Sequence, residues 1–256
     1  MKPNSQITWH IIGNGTGSLH TTAKQRTVRF NQPSNLIQEA DLVISNKFNS
    51  GITKSFELKG IEPYKNFTEA LYHKTLILEQ QLNAWPSLGL TTILTLQDTY
   101  TKISLSCMNL LPSISRTKSL PNRKPLPCNY HNWLGERRIA LQILHKLNWP
   151  SFWLSKTSDL SPAAKDPYPT LISLPSYPSK EGLKKIQELN LITESSWIYY
   201  ATEEYLKKVE SLFLLQRNHQ QTTNWWLYNY EASLLMTNIH RHLALAQQLL
   251  YLQARF

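Results

Sequence analysis

The sequence predicts an α/β fold: a Rossmann-like, mostly parallel sheet with flanking helices and a C-terminal helical segment. Three observations support this prediction. Residues 7–12 form a short apolar run that leads directly into a glycine-rich turn. Runs of strand length then alternate with stretches of helical periodicity, which is the order typical of α/β architecture. Residues 202–256 are dominated by helical patterns. We interpret residues 1–256 as a single domain.

The predicted strands are short runs of mainly apolar residues. They cover residues 7–12, 27–30, 41–45, 90–96, 102–107, 152–154 and 196–200. The first three runs end in polar segments that carry Asn14, Asn31 and Asn46. In an open parallel sheet the carboxyl ends of the strands line one edge, where ligands bind. We therefore expect Asn31 and Asn46 on the same edge as the glycine-rich turn.

The predicted helices lie at residues 66–83, 132–147, 181–189, 202–216 and 225–253. Between the second and third of these helices, residues 157–180 contain five prolines. A segment of this length and composition is a lid, an ordered surface loop or a disordered stretch.

The composition favours an anionic partner. The 256 residues include 27 Lys and Arg against 17 Asp and Glu, for a formal net charge of +10. This surplus attracts phosphates, acidic glycans, nucleic acid or an anionic membrane surface, or it simply maintains solubility. No helix-turn-helix, zinc or RNP pattern supports nucleic-acid binding, so we expect none.

The cysteines and the apolar runs argue against several classes of protein. Cys107 and Cys128 are the only cysteines, with no CxxC pair and no His/Cys cluster. We therefore predict neither a disulfide framework nor a metal site. No run approaches the roughly 18 apolar residues of a membrane span. We expect a cytoplasmic protein, either free or peripheral at the inner membrane face.

The glycine-rich turn predicts a phosphate site. Gly13 and Gly15 follow a strand, and Ser18 stands where a dinucleotide fingerprint has its third glycine. Glycines at such a turn let backbone N–H groups approach a phosphate. A tight turn without a ligand is the alternative.

The next strand argues against NAD as the ligand. About ten residues separate Ser18 from that strand, fewer than a crossover with a full helix requires. No acidic residue ends the strand to bind a ribose; Arg29 and Asn31 stand there instead. This arrangement leaves NADP open.

Three segments together resemble the opening of sialyltransferases. They are I-I-G-N-G-x-x-S-L at residues 11–19, R-F-N-Q at residues 29–32 and D-L-V-I-S-N at residues 41–46. In that family a G-N-G/S turn, an R-x-N strand end and a third strand ending in Asn surround the cytidine nucleotide of the donor. The resemblance implies a CMP-sugar donor used as a substrate, no metal, no separate cofactor and a Rossmann-like sheet. It implies a glycan or lipooligosaccharide-type acceptor.

A second region is similar to the family's second motif. Gly135 opens a predicted helix that leads to N-W-P-S-F-W-L-S at residues 148–155. Here Leu134 replaces the family's serine, and the closing glycine is absent. The histidines after residue 155 are not in the family's catalytic setting. The resemblance therefore supports donor binding better than catalysis, and it implies a nucleotide-binding set of residues: Gly13, Asn14, Gly15, Ser18, Asn31, Asn46 and Gly135.

A polar and aromatic cluster around His131 supplies the candidate catalytic groups. Imidazole is the side chain best suited to proton transfer near neutral pH, so His131 is a candidate general base. Arg137 and Arg138, together with Arg29, are candidates to contact a phosphate or an acceptor carboxylate. In the alternative interpretation, Asn132 caps a helix and the arginine pair lies on its surface.

These observations predict a glycosyltransferase that resembles sialyltransferases. A non-catalytic nucleotide-binding protein or an NADP-type reductase is the alternative. We expect His131 to lie in the nucleotide cleft.

Overall fold

The computed structural model describes residues 8–15, 19, 25–31, 39–48, 54–100, 102–112, 131–157, 162–175, 178–213, 225–228 and 230–255. These residues group into two compact units. The sheet unit contains the described residues up to Asn109 together with residues 142–153. The helical unit contains residues 110–112, 131–141 and the described residues from Leu154 onward. That the two units constitute one domain stays a prediction.

The described part of the sheet unit contains a six-stranded, mostly parallel sheet, which confirms the predicted fold class. The strand order is β4-β3-β2-β1-β5-β6, and β4 alone pairs antiparallel, with β3. The strands are β1 (Thr8–Ile12), β2 (Gln25–Phe30), β3 (Leu42–Phe48), β4 (Lys54–Gly60), β5 (Ile103–Ser106) and β6 (Leu147–Asn148).

Two helices cover the apolar face of this sheet. Helices α1 (Phe67–Leu82) and α2 (Leu88–Gln97) pack against each other and against β3, β4 and β5. The strand register places buried residues of adjacent strands on one face, because alternate side chains of a strand share a face. They are Trp9, Ile11, Val28, Leu42, Ile44 and Leu105.

The prediction of a strand at residues 90–96 is wrong, because this segment belongs to α2. The side chain of Ser87 caps the helix by accepting a hydrogen bond from the backbone N–H of Leu90. The hydroxyls of Thr91 and Thr95 donate to carbonyls one turn earlier. Almost every position of α2 is buried, so its apolar residues are not confined to one face of the helix, and periodicity cannot assign the segment to helix or strand.

Two other predicted strands are also wrong. Residues 152–154 begin with the last residue of a 3-10 turn at Pro150–Phe152 and have no regular structure after it, and residues 196–200 fall in and after helix α6 (Glu194–Tyr199). The Thr193 side chain caps α6 by accepting from the backbone N–H of Ser196. Conversely, no strand was predicted where β4 lies, although its residues alternate between polar and apolar.

Most of the predicted helices agree with the structure, with altered ends. The helices of the second half are α3 (Trp133–Ile143), α4 (Tyr168–Ile172), α5 (Lys180–Asn190), α6, α7 (Glu203–Glu210) and α8 (Tyr230–Gln253). The third predicted strand extends beyond residue 45 to Phe48. Residues 214–224, in which the fourth predicted helix ends, lie outside the described residues.

The core of the helical unit forms around α8. This helix contacts α5, α6, α7 and the 3-10 turn at Trp225–Tyr228. The prediction of an irregular segment at 157–180 is wrong for α4, whose Tyr168 and Leu171 are fully buried. The Tyr168 hydroxyl donates to the carbonyl oxygen of Trp197, so α4 is bonded to α6. A lid function for this segment stays a prediction.

Within the described helices, none combines the length and the apolar character needed to cross a membrane.

His240 on α8 is a fully buried imidazole in this core. Its ring lies 4.5 Å from the ring of Phe213, measured between centroids. Burial, followed by the charge of Arg137, lowers the pKa of His240 from 6.5 to about 3. The unfolded chain therefore binds a proton at this residue between these pH values, whereas the folded chain does not. Stability is lost as the pH falls through this window.

We predict that the free energy of unfolding falls between pH 6.5 and pH 4, and that His240→Leu makes this fall shallower by about 1.4 kcal/mol per pH unit. Urea unfolding at several pH values measures the slope. His73→Leu is the control, because His73 is exposed on α1. A slope that is unchanged in His240→Leu would contradict the prediction.

Candidate functional site

The carboxyl ends of the parallel strands form the candidate site. β1 lies between β2 on one side and β5 on the other, so the strand order reverses at β1. In open α/β sheets, ligands bind outside the carboxyl ends of the strands at such a reversal. We call Gly13–Gly15, Asn31, Asn46 and Cys107 the carboxyl rim.

Asparagine side chains link the strand ends of the carboxyl rim. Nδ2 of Asn14 donates to the carbonyl oxygen of Phe30 at 3.0 Å. Oδ1 of Asn31 accepts from the backbone N–H of Asn46 at 3.0 Å. Asn31 has a φ of 48°, in the left-handed region that asparagine tolerates better than most residues. The prediction that Asn31 and Asn46 share the edge of the glycine-rich turn is confirmed.

The two glycines allow the turn to approach the end of β5. The backbone N–H groups of Gly13 and Gly15 donate to the carbonyl oxygens of Ser106 and Cys107, each at 2.9 Å. A Cβ atom at Gly13 would overlap the Cys107 carbonyl, and one at Gly15 would lie 2.9 Å from the same oxygen. These two N–H groups are therefore used within the protein. A phosphate at this rim would be bound mainly by other groups.

Arg29 on β2 provides a cation beside the rim. Its side chain is half-buried, and its Nε atom has no acceptor among the residues that the structure describes. Burial lowers the pKa of the Arg29 guanidinium, and the nearby Cys107 thiol opposes this effect. A partly dehydrated cation without a hydrogen-bond acceptor at Nε favours binding of an anion.

The face of the sheet that carries Arg29 also carries a buried polar pair. Nε2 of His10 and Oγ of Ser106 lie 2.9 Å apart, and both residues are buried. The strand register places His10 and Ser106 on the same face as Arg29. Sequence reasoning missed this pair, because the hydrogen bond joins strands that are far apart in the chain.

In the helical unit, His131 lies beside a buried carboxylate. Nδ1 of His131 is 4.0 Å from Oε1 of Glu136, whose side chain is fully buried, while that of His131 is 16% exposed. The rings of His131 and Trp133 lie edge to face, with centroids 5.0 Å apart. This arrangement gives a solvent-accessible imidazole with a carboxylate behind it. Such a carboxylate stabilises the protonated form of a general base.

The start of α3 is capped as the alternative interpretation expected. Oδ1 of Asn132 accepts from the backbone N–H of Gly135 at 2.9 Å. This bond uses the N–H of Gly135, which lies buried in the first turn of the helix. The capping role of Asn132 and a catalytic role of His131 are compatible, because they involve different side chains.

The two arginines of α3 contact protein groups. Nε and Nη2 of Arg138 donate to the two carboxylate oxygens of Glu210, at 2.8 and 3.1 Å, and these hydrogen bonds raise the pKa of Arg138. Arg137 is fully buried and donates to Oε1 of Gln248 at 3.4 Å. Burial lowers the pKa of Arg137 to about 9. Contact of either arginine with an acceptor or a phosphate stays a prediction.

The remaining predictions divide between the two units. The carboxyl rim belongs to the sheet unit, whereas His131, Gly135 and the two arginines belong to the helical unit. A cleft shared by His131 and the turn stays a prediction. Ser18 lies outside the described residues. Where side chains are described, no group of three or more His, Cys, Asp or Glu is placed to hold a metal ion.

Comparison of the chain with protein-family models, curated proteins and solved structures finds no match in any of the three. The resemblance to sialyltransferases therefore depends on the three N-terminal segments and the second motif alone.

We predict that Gly13→Ala destabilises the protein by about 2 kcal/mol, because the added methyl group must displace the Cys107 carbonyl. Gly89→Ala on α2 is the matched control: its methyl group would meet the flexible side chain of Met108, and alanine favours the helix. Urea unfolding measures both variants. Equal stability of the two would show that the turn does not approach β5 this closely.

Proposed function

We propose that the chain is a glycosyltransferase of the sialyltransferase type, which transfers a sugar from a CMP-activated donor to a glycan or lipooligosaccharide-type acceptor. The observation that carries the proposal is the carboxyl rim: asparagine side chains join its strand ends at the reversal of strand order, beside Arg29. This is where Rossmann-like sheets bind nucleotides.

The side chains of the rim have the chemistry to bind a nucleotide. Asn14 and Asn31 each use one amide atom to link the strand ends, and among the described residues Oδ1 of Asn14 and Nδ2 of Asn31 remain for a ligand. An acceptor and a donor of this kind suit the exocyclic amine and the carbonyl group of cytosine. Arg29 suits the phosphate. The net charge of +10 favours the approach of such an anion.

His131 is the proposed general base. In this mechanism Nε2 of His131 takes the proton of the acceptor hydroxyl. The hydroxyl oxygen forms a bond to the anomeric carbon of the sugar, the bond from that carbon to the phosphate oxygen breaks, and CMP leaves with the electron pair. Glu136 stabilises the imidazolium that forms. The negative charge of the leaving phosphate requires cations or hydrogen-bond donors where the donor binds.

An NADP-binding protein is a second candidate, favoured by the position of Arg29. The second strand of a Rossmann-like sheet ends near the ribose of a bound dinucleotide, and an arginine there accommodates the 2′-phosphate of NADP. Arg29 is the penultimate residue of β2. Both candidates place an anion at the carboxyl rim. They differ in the nucleotide that is bound, so a comparison of CMP with NADP distinguishes them.

We predict that CMP binds and raises the melting temperature in excess EDTA, and that NADP and an oligonucleotide do not. Arg29→Gln should weaken CMP binding by about 10- to 100-fold, the range expected for a lost charged hydrogen bond. Arg26→Gln is the matched control, because Arg26 lies on the same strand but packs over the ring of Trp9. Calorimetric titration measures the affinities.

Equal effects of the two arginine variants on CMP binding would contradict the placement of the phosphate. Stabilisation by NADP alone would contradict the glycosyltransferase proposal and favour the second candidate, an NADP-binding protein. Loss of CMP binding in EDTA, restored by manganese or magnesium, would show that the site needs a metal.

We predict that His131→Asn lowers the rate of CMP release from CMP-sialic acid in the presence of acceptor glycans by ~100-fold or more, with CMP affinity retained. Glu136→Gln keeps the shape of the side chain and should lower the rate less. His73→Asn is the control for a histidine on an exposed surface. An equal loss of rate and affinity in His131→Asn would make His131 a binding residue. No change in either would leave Asn132 capping as the only function of this segment.

A further inference from the structure

A groove lies at the opposite edge of the sheet from the carboxyl rim. It has a volume of about 390 Å³, and residues at or next to the amino ends of β1, β2 and β5 line it together with the residues that lead into β6. All of these residues belong to the sheet unit. We call it the amino groove and define it by Thr8, Gln25, Lys102, Ser104, Lys146 and Asn148.

The strand register brings four polar side chains to one face in this groove. Thr8 pairs with Gln25 across β1 and β2, and Ser104 pairs with Asn148 across β5 and β6. Ser104 also pairs with His10, two residues after Thr8, so all four share a face. These four residues, which we call the floor of the groove, offer several hydrogen-bonding groups.

Two atoms of this floor have unmet hydrogen-bonding capacity. Oε1 of Gln25 and Oγ of Ser104 are buried, and neither has a hydrogen-bond partner among the described residues. A buried polar atom without a partner costs about 1–3 kcal/mol. Oε1 of Gln25 can only accept, so it favours a ligand with a hydroxyl or amine donor.

The charge of the groove is positive. Lys102 precedes β5, Lys146 ends the 3-10 turn Leu144–Lys146 that leads into β6, and His145 lies beside Lys146. None of the lining residues is acidic, and neither lysine forms an ion pair with another residue of the described chain. Two ammonium groups at one groove attract a small anion.

We propose that the amino groove binds a small hydroxyl-bearing anion of the sugar phosphate class. The lysines bind the phosphate, Oε1 of Gln25 accepts from a sugar hydroxyl, and Ser104 donates to or accepts from another. The volume of the groove lies in the range of small-molecule sites and is too small for a macromolecule. This site is independent of the carboxyl rim and of the function proposed for it.

Calorimetric titration at low salt tests the site with three probes: glucose 6-phosphate, inorganic phosphate and glucose. We expect glucose 6-phosphate to bind at least about tenfold more tightly than phosphate, because only glucose 6-phosphate has both a phosphate for the lysines and hydroxyls for Gln25 and Ser104. The double substitution Lys102→Gln/Lys146→Gln should weaken the binding of glucose 6-phosphate by about tenfold or more. Lys59→Gln/Lys65→Gln removes the same charge from exposed positions of the sheet unit and should have little effect.

Gln25→Leu tests the floor, and it should reduce the affinity for glucose 6-phosphate to that for phosphate. The melting temperature of each variant reports whether it is folded, and undiminished CMP binding by Lys102→Gln/Lys146→Gln would separate this site from the carboxyl rim. The proposal is overturned if no probe binds, if phosphate and glucose 6-phosphate bind equally, or if both lysine pairs have the same effect.

Discussion

Two backbone hydrogen bonds between the glycine-rich turn and the end of β5 determine the shape of the carboxyl rim. They run from the N–H groups of Gly13 and Gly15 to the carbonyls of Ser106 and Cys107. The close approach requires that neither donor residue has a side chain. Asn14 lies between the two bonded residues, and its side chain extends to the Phe30 carbonyl on the other side of β1. The turn thus connects β5 to β2.

In this geometry the two glycines have a different role from the glycines of a dinucleotide-binding turn. In a dinucleotide fold, glycines at this position let backbone N–H groups bind a pyrophosphate. Here both N–H groups have protein acceptors, so any recognition of a nucleotide falls mainly to side chains. Asn14, Asn31 and Arg29 are the groups placed to provide it. Side-chain amides can discriminate between ligands better than a row of backbone N–H groups, because each amide presents both a donor and an acceptor in a fixed geometry.

The helical unit shows a different use of polar residues. Glu136 and Arg137 on α3 and His240 on α8 are fully buried, although charged residues are rarely buried without a partner. Arg137 contacts Gln248, and the Gln248 side chain also bonds both backbone groups of Leu154. The Arg137–Gln248 bond joins α3 to α8, and a displaced helix would break it and leave the buried guanidinium without this acceptor. The His131–Glu136 pair at the start of α3 depends on this arrangement.

The sequence predicted the elements whose signal is local. The first strand, the glycine turn and α1 each carry a clear boundary, and the structure brings together the three asparagines, of which Asn14 and Asn31 follow strand ends and Asn46 lies within β3. The buried helix α2 was mistaken for a strand because a helix buried on all sides has no periodicity. The pairs His10–Ser106 and Arg138–Glu210 join residues far apart in the chain, so they could not be predicted without the fold.

The most direct test of the account is whether CMP contacts the side-chain amides of Asn14 and Asn31. Nuclear magnetic resonance of the ¹⁵N-labelled protein, with these signals assigned by Asn14→Ala and Asn31→Ala, would follow them during a CMP titration. If CMP binds at the carboxyl rim, both signals shift together and saturate at the affinity measured by calorimetry, while the signal of the Gln25 side-chain amide at the opposite edge does not move. Saturable shifts confined to other residues would place the nucleotide elsewhere and contradict the account.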